Sequence, residues 1–293
     1  MKLADNTIQS LRQHYNNTLG KLYEPGEISA MFELTAAHYL NMNRSDVALN
    51  PKLRVNQSNL IDVYDCAKLL AKQVPLQYIL GETYFYGMTL KVGPGVLIPR
   101  PETEELVDLI VKHNKTAKSA LDIGTGSGCI ALGIKKKLPG ATVMAIDTSQ
   151  TALQIAAGNA RINQLDIQFM KADVLDQKDV ALKINGIGFD LVVSNPPYIL
   201  QTEMHAMPKN VTMHEPHQAL FVEGEDPVLF YRKIVELCRH VLNPGGRLYF
   251  ELNPLTSAQV VDLVKESGFF SEWELTKDMS GNVRFLAATK NIT

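Results

Sequence analysis

Apolar residues in the first quarter of the chain recur at helical spacing. Ile28, Met31, Phe32, Thr35, Ala36 and Tyr39 share one face behind the Pro25-Gly26 break, and Leu60, Val63, Tyr64, Ala67, Leu70, Ala71 and Val74 share another behind Asn59, read as a cap. The spacing predicts a small helical bundle over residues 1–75. After Val74-Pro75 the period shortens. Thr83–Phe85 and Thr89–Val92 flank Gly87 as a β-hairpin, so 76–100 is expected to link the bundle to the remainder of the chain. Pro101 then suits a first helical position, and Glu102, Glu104 and Glu105 suit the positive helix end, where capping is their simplest role.

From Ser119 the pattern alternates. Short apolar runs at 120–123, 142–146, 167–170, 191–193 and 247–252 are separated, for the most part, by amphipathic segments at 130–138, 151–163 and 228–242, with another at 257–267 after the last run. Such alternation predicts an α/β fold with a parallel sheet covered on both faces. The tail differs. Segments 272–277 and 284–289, joined through Ser280-Gly281-Asn282, read as an antiparallel hairpin at the sheet edge and bring the strands to seven. Residues 101–293 are thus expected to form one α/β domain.

Composition narrows the class. A formal net charge of -2 lacks the basic excess on which duplex nucleic-acid binding rests. The one basic run, Lys135–Lys137, closes a predicted helix, where cations suit the dipole. Cys66, Cys129 and Cys238 are scattered and form no CxxC pair, which argues against a disulfide framework and a structural zinc site. His214-Glu215-Pro216-His217 lacks metal-ligand spacing, and Pro216 disfavours a ligand helix, so these are read as loop histidines. No run is long enough for a membrane helix and MKLADNTIQS has no signal-peptide core, so a cytoplasmic protein is expected.

Three features carry chemistry. Gly124, Thr125, Gly126, Ser127 and Gly128 lie between the first strand of the alternating region and a helix, where glycines let the backbone approach a ligand. The G-x-G-x-G spacing differs from the dinucleotide fingerprint, although dehydrogenases use a similar loop. Asp147 closes the next strand, placed either to accept both hydroxyls of a ribose or to cap the following helix. Asp173 follows the third strand and could accept from the exocyclic amine of adenine, with Val174 against the ring; a turn-forming aspartate is the competing reading.

The third feature is Ser194-Asn195-Pro196-Pro197-Tyr198-Ile199. Two prolines end the strand in a stiff extended loop. An amide nitrogen is a poor nucleophile because its lone pair is delocalised. Its NH2 group has two donors, which the Asn195 side-chain oxygen and the Pro196 carbonyl can accept while Tyr198 stacks on the planar group. A rigid turn with no chemistry is the alternative. Glycine loop, Asp147, Asp173 and seven-strand pattern together resemble the S-adenosylmethionine-dependent methyltransferases. The Asn-Pro-Pro-Tyr motif narrows this to enzymes that methylate a planar or conjugated nitrogen.

With PLQYILGETYFYG, VLIPRPETE, LDIGTGSGCIAL, FDLVVSNPPYI, HEPHQAL and DMSGNVRFLAA in this order, nearly the whole chain resembles the release factor glutamine methyltransferase family, also called HemK or PrmC. The resemblance implies a helical substrate-recognition domain, a hairpin linker and a Rossmann-like methyltransferase domain. It implies S-adenosyl-L-methionine as methyl donor and the GGQ glutamine of class-1 peptide chain release factors as acceptor. Carried onto this sequence, residues 124–128, Asp147, Val174 and Asn195 contact the donor, and Asn195, Pro196, Pro197 and Tyr198 hold the substrate. The sequence departs from the family at Val222, Glu223 and Pro227 around Gly224 and Asp226. It departs again at Glu251-Leu252-Asn253, where Asn253 replaces a glycine, although asparagine tolerates the same left-handed geometry. An N6-adenine methyltransferase acting on DNA or RNA would use the same motif on a flipped base, but the charge balance weighs against it. A nicotinamide oxidoreductase would need a catalytic His or Tyr-Lys pair that is not evident, and a silent donor-binding module would not need Asn195. A monomer is the simplest expectation.

Overall fold

The computed structural model describes residues 5–292 apart from 185 and 223. The chain divides into two compact units, one of residues up to Gly81 with Pro208–His214, the other of Glu82–Met207 with Glu215 onwards. No helix among the described residues is long and apolar enough to cross a membrane.

The first unit contains α1 (Ile8–Leu19), α2 (Pro25–Leu40), α3 (Arg44–Leu49), α4 (Gln57–Ala71) and α5 (Leu76–Leu80). Leu11 and Tyr15 of α1, Phe32 of α2 and Val63 and Leu70 of α4 share its core. The expected cap at Asn59 is displaced by one turn. Asn56 is the N-cap, its side chain accepting from the Asn59 N–H at 2.9 Å. Gln57 and Ser58 form a polar first turn, so apolar spacing begins only after the helix has started.

In the second unit, β1 (Glu82–Phe85) and β2 (Met88–Lys91) form the expected hairpin. Then come α6 (Pro101–His113), β3 (Ser119–Ile123), α7 (Cys129–Lys137), β4 (Thr142–Asp147), α8 (Gln150–Ile162), β5 (Gln168–Lys171), α9 (Gln177–Lys183) and β6 (Phe189–Ser194). A 3-10 turn (Gln201–Ala206), α10 (Lys209–His214, part of the first unit) and α11 (His217–Leu220) occupy what the sequence reads only as a loop. The chain ends with α12 (Leu229–Val241), β7 (Leu242–Glu251), α13 (Ser257–Glu266), β8 (Phe270–Lys277) and β9 (Val283–Lys290).

The seven strands lie in the order β5-β4-β3-β6-β7-β9-β8, parallel from β5 to β7. The last hairpin inserts β9 antiparallel against β7 and leaves β8 at the edge. Alternation sorts the two cores. Leu121, Val192 and Leu248 are paired across β3, β6 and β7 and join Ile234 and Val260 on one face; Ala120, Leu191 and Tyr249 face Leu106, Val107 and Ile134 on the other. The glutamates of α6 do more than cap. Glu104 accepts from the Tyr86 N–H at 2.7 Å and Glu105 from the Met279 N–H at 3.0 Å, tying both hairpins to this helix.

Candidate active site

Sheet register assembles the site. Ile123 of β3 pairs with Ile146 of β4 and with Ser194 of β6, which pairs with Phe250 of β7. The next residue on each strand is therefore Gly124, Asp147, Asn195 or Glu251, and all four stand at one level on the carboxyl ends of parallel strands. Between β3 and β6 the strand order reverses direction, the crevice where open α/β sheets bind ligands. The Ser194 hydroxyl donates to the Ile123 carbonyl at 2.7 Å and locks these two strand ends together.

The glycine loop turns on two bonds to one carbonyl, the N–H groups of Gly124 and Thr125 donating to Ile146 at 2.9 and 3.0 Å. Gly124 and Gly126 have φ of +74° and +55°, and a Cβ on either would meet no atom within 4 Å. The space over the loop is open. Gly128 differs: at φ +84° its Cβ would come within 3.0 Å of Ala156, so it also allows close packing of α7 and α8. Thr125 is buried and donates to Asp122 at 2.6 Å; Ser127 is buried and its carbonyl accepts from Asn159 at 2.9 Å.

Asp147 holds this loop from the side. One carboxylate oxygen accepts from the Gly126 N–H at 2.9 Å and the other from the Ser149 N–H at 2.8 Å. Burial pushes its pKa up, against the pull of these N–H groups. The N-cap of α8 is Ser149, which accepts from the Ala152 N–H, so the capping alternative for Asp147 is not what the structure shows. Asp173 does form a turn, its side chain accepting from the Leu175 N–H at 2.9 Å and its carbonyl from the Asp176 N–H. It stays half-buried beside the buried Val174.

Asn195, Pro197 and Tyr198 are half-buried and Pro196 is buried. Tyr198 packs on the core, and burial, together with the Glu251 charge, pushes its hydroxyl up to about 12. At the next residue the chain is pinned. The Ile199 N–H donates to Leu220 at 3.1 Å and the Val222 N–H to Ile199 at 2.9 Å, closing the neck of the 200–220 excursion. Glu215 in that excursion is buried and accepts from the Arg100 guanidinium at 2.6 Å and the Ile98 N–H at 3.2 Å. The segments IPRPETE and HEPHQAL are thus two halves of one buried contact.

Two carboxylates carry no sequence motif. Asp122 is fully buried, and one of its oxygens has no hydrogen-bond partner. Burial pushes it up to about 7, Thr125 and Ala131 opposing and the Asp147 charge adding. Glu251 is buried too, accepting from the Thr103 hydroxyl at 2.8 Å, and it stands beside Asn195 at the end of the paired strand. Burial pushes it up to about 7, with Thr103 and Arg284 pulling down. The signal in the sequence is an acid at or beside the end of an apolar strand, Glu251 last in β7 and Asp122 next to last in β3. Asn253, by contrast, does not use the left-handed geometry that asparagine tolerates. It is not among the residues with positive φ, and its side chain accepts from the Leu255 N–H at 3.0 Å, so it forms a turn rather than imitating a glycine. Of the other departures, Gly224 has φ +91° and Asp226 accepts from the Val228 N–H at 3.0 Å, whereas Glu223 lies outside the described residues.

An open glycine cradle, a carboxylate with a spare lone pair on each oxygen and a buried carboxylate oxygen without a partner suit a ligand with hydroxyl and cationic groups. Comparison with known proteins agrees. The family described as PrmC N-terminal domain matches residues 10–81, and the Methyltransferase small domain matches residues 101–234. The release factor glutamine methyltransferase of Flavobacterium psychrophilum is 41% identical over 95% of this chain and 98% of its own. That of Bacteroides thetaiotaomicron is 40% identical over 97% and 100%, and that of Bacillus subtilis 33% identical over 91% and 93%. Among solved structures, the hMettl16 catalytic domain in complex with MAT2A 3'UTR hairpin 1 is 14% identical and covers 93% of each chain at a TM-score of 0.55, a likeness of fold. With an Asn-Pro-Pro-Tyr loop beside a glycine cradle and relatives that match from end to end, the chain belongs to the release factor glutamine methyltransferase family, and it is a methyltransferase.

Proposed function

We propose that this enzyme methylates the side-chain amide nitrogen of the GGQ glutamine in class-1 peptide chain release factors, in the cytoplasm and as a monomer. The observation that carries the reading is the adjacency of the glycine cradle and Asn195 on paired strand ends, in a chain whose full-length relatives bear this name. S-adenosyl-L-methionine, when bound, supplies an electrophilic sulfonium methyl. Residues 124–128, Asp147, Asp173 and Val174 would hold it, with Asp147 taking the ribose hydroxyls. Asn195 Oδ1 and the Pro196 carbonyl accept the two N–H bonds of the glutamine amide and draw its lone pair out of conjugation. Pro196 and Pro197 fix those acceptors in advance, so no reorganisation is needed as charge develops. Tyr198 lies flat against the amide and aligns it. Once alkylated the nitrogen is strongly acidic, and its proton leaves to water. Residues 1–75 would grip the release factor, 76–100 link, and 101–293 carry out the reaction.

The test is transfer of labelled methyl to a purified class-1 release factor, to its variant with the GGQ glutamine changed to alanine, and to unmethylated DNA. Label on the intact factor alone is expected. Label on DNA would overturn the reading in favour of an adenine substrate.

A further inference from the structure

We infer that Glu251 is a positioning residue: it fixes which end of the Asn195 carboxamide faces the substrate. Asn195 and Glu251 each follow or match a register-paired position, Ser194 pairing with Phe250, so they stand side by side at the ends of β6 and β7. Glu251 is 3% exposed, and the Tyr231 hydroxyl donates to its backbone carbonyl at 2.9 Å. Thr103 of α6 donates to one carboxylate oxygen at 2.8 Å, which keeps the carboxylate in place. The neighbouring Asn195 side chain helps hold the pKa of this carboxylate down, as a carboxamide NH2 turned towards it would.

An ionised carboxylate only accepts hydrogen bonds, whereas a carboxamide has a donor end and an acceptor end. Against Glu251 the amide must therefore present its NH2, and Oδ1 is turned to the opposite side. On the proposed reaction, on which this inference rests, that side is where the glutamine N–H must be accepted. Were the amide reversed, two NH2 groups would face one another and the site would repel the nucleophile it has to bind.

Protonation gives a second handle. A protonated Glu251 carries an O–H that can donate to Asn195 Oδ1 and stabilise the reversed amide. The groups facing Glu251 are Glu102 and Thr103 on α6, Tyr198, Tyr231 on α12, Arg284 on β9 and Cys129 on α7. Burial leads the balance and Arg284 does not offset it, so the switch lies near pH 7, where Glu251 titrates at about 7.

The experiment compares wild-type enzyme with E251Q, T103V and T103S for transfer to the release factor between pH 6 and 8.5, with S-adenosylhomocysteine affinity measured alongside. E251Q is expected to lower kcat by at least about tenfold with KM and cofactor affinity nearly unchanged, as for an interaction realised in the transition state. Wild-type kcat should fall below neutrality and E251Q should be flat there; T103V should be intermediate and T103S restored. Wild-type kcat in E251Q, or an acid limb that persists in it, overturns the inference. If the wild-type enzyme labels no release factor, the proposed reaction fails on its own, and the Asn195 side-chain NH2 resonance decides the rest. Its shift through neutral pH in wild type but not in E251Q supports the contact, and no shift in either refutes it.

Discussion

Replacing Asp147 with alanine separates the role the structure shows from the one proposed for it. The carboxylate accepts from Gly126 and Ser149 at 2.9 and 2.8 Å, so the change strips two backbone N–H groups of their partner. A buried donor left unsatisfied costs about 1–3 kcal/mol; Asp147 is only half-buried and water can reach part of the gap, so about 2 kcal/mol in total is expected. For a domain of this size that lowers Tm by about 4–8 °C. The second, proposed role is to accept ribose hydroxyls. Hydrogen bonds to a charged group are worth about 1.5–3 kcal/mol, so affinity should fall about 10- to 150-fold. Calorimetry with S-adenosylhomocysteine, run beside thermal melting of the free protein, reads both. A lower Tm with affinity within about twofold of wild type would refute the ribose assignment and leave Asp147 as a strut of the glycine loop.

Asn195→Ala should abolish methyl transfer while keeping cofactor affinity within about tenfold, or 1.4 kcal/mol; retained turnover in the labelling assay would remove Asn195 from the mechanism. Asp122 titrates at about 7 in the fold against an ordinary 3.8. A raised folded pKa means the stability it contributes is complete below about pH 4 and is lost as pH rises to about 7. The melting temperature of wild type relative to D122N should accordingly decline across that window, and a constant difference would show that Asp122 does not titrate there. Arg100→Met leaves the Glu215 carboxylate, 1% exposed, without its cation. Breaking a fully buried pair costs about 3–5 kcal/mol; Arg100 is 33% exposed, so about 2 kcal/mol is expected. Denaturant midpoints would measure it, and limited proteolysis should show earlier cleavage within 200–220.

Hydrophobic period made most of the framework legible, because buried parallel strands such as Leu191–Val193 are short apolar runs wherever they occur. Local chemistry marked the glycine loop, Asp147 and the proline pair for the same reason: each is dictated by the chain's immediate geometry. What escaped depends on partners distant in sequence. Glu104 as an anchor for Tyr86, Glu215 as the mate of Arg100 and Glu251 as the neighbour of Asn195 are visible only when strands and loops are brought together. Asn56 and Asn253 show the other limit, since an asparagine can cap, turn or adopt positive φ, and its neighbours decide which.

The bridge between Ile199 and Phe221 gives the enzyme a division of labour. The 200–220 excursion is fastened at its neck beside the prolines and again inside, where Glu215 holds Arg100 and Ile98 rather than Asn195. Closing such a loop depends only weakly on its length, about 0.6 kcal/mol for each doubling. Inserted residues would therefore load the neck rather than the nucleophile's acceptors. On the proposed reaction, exchanging the excursion would change what is presented for methylation while Asn195 and its prolines stay where the sheet has set them.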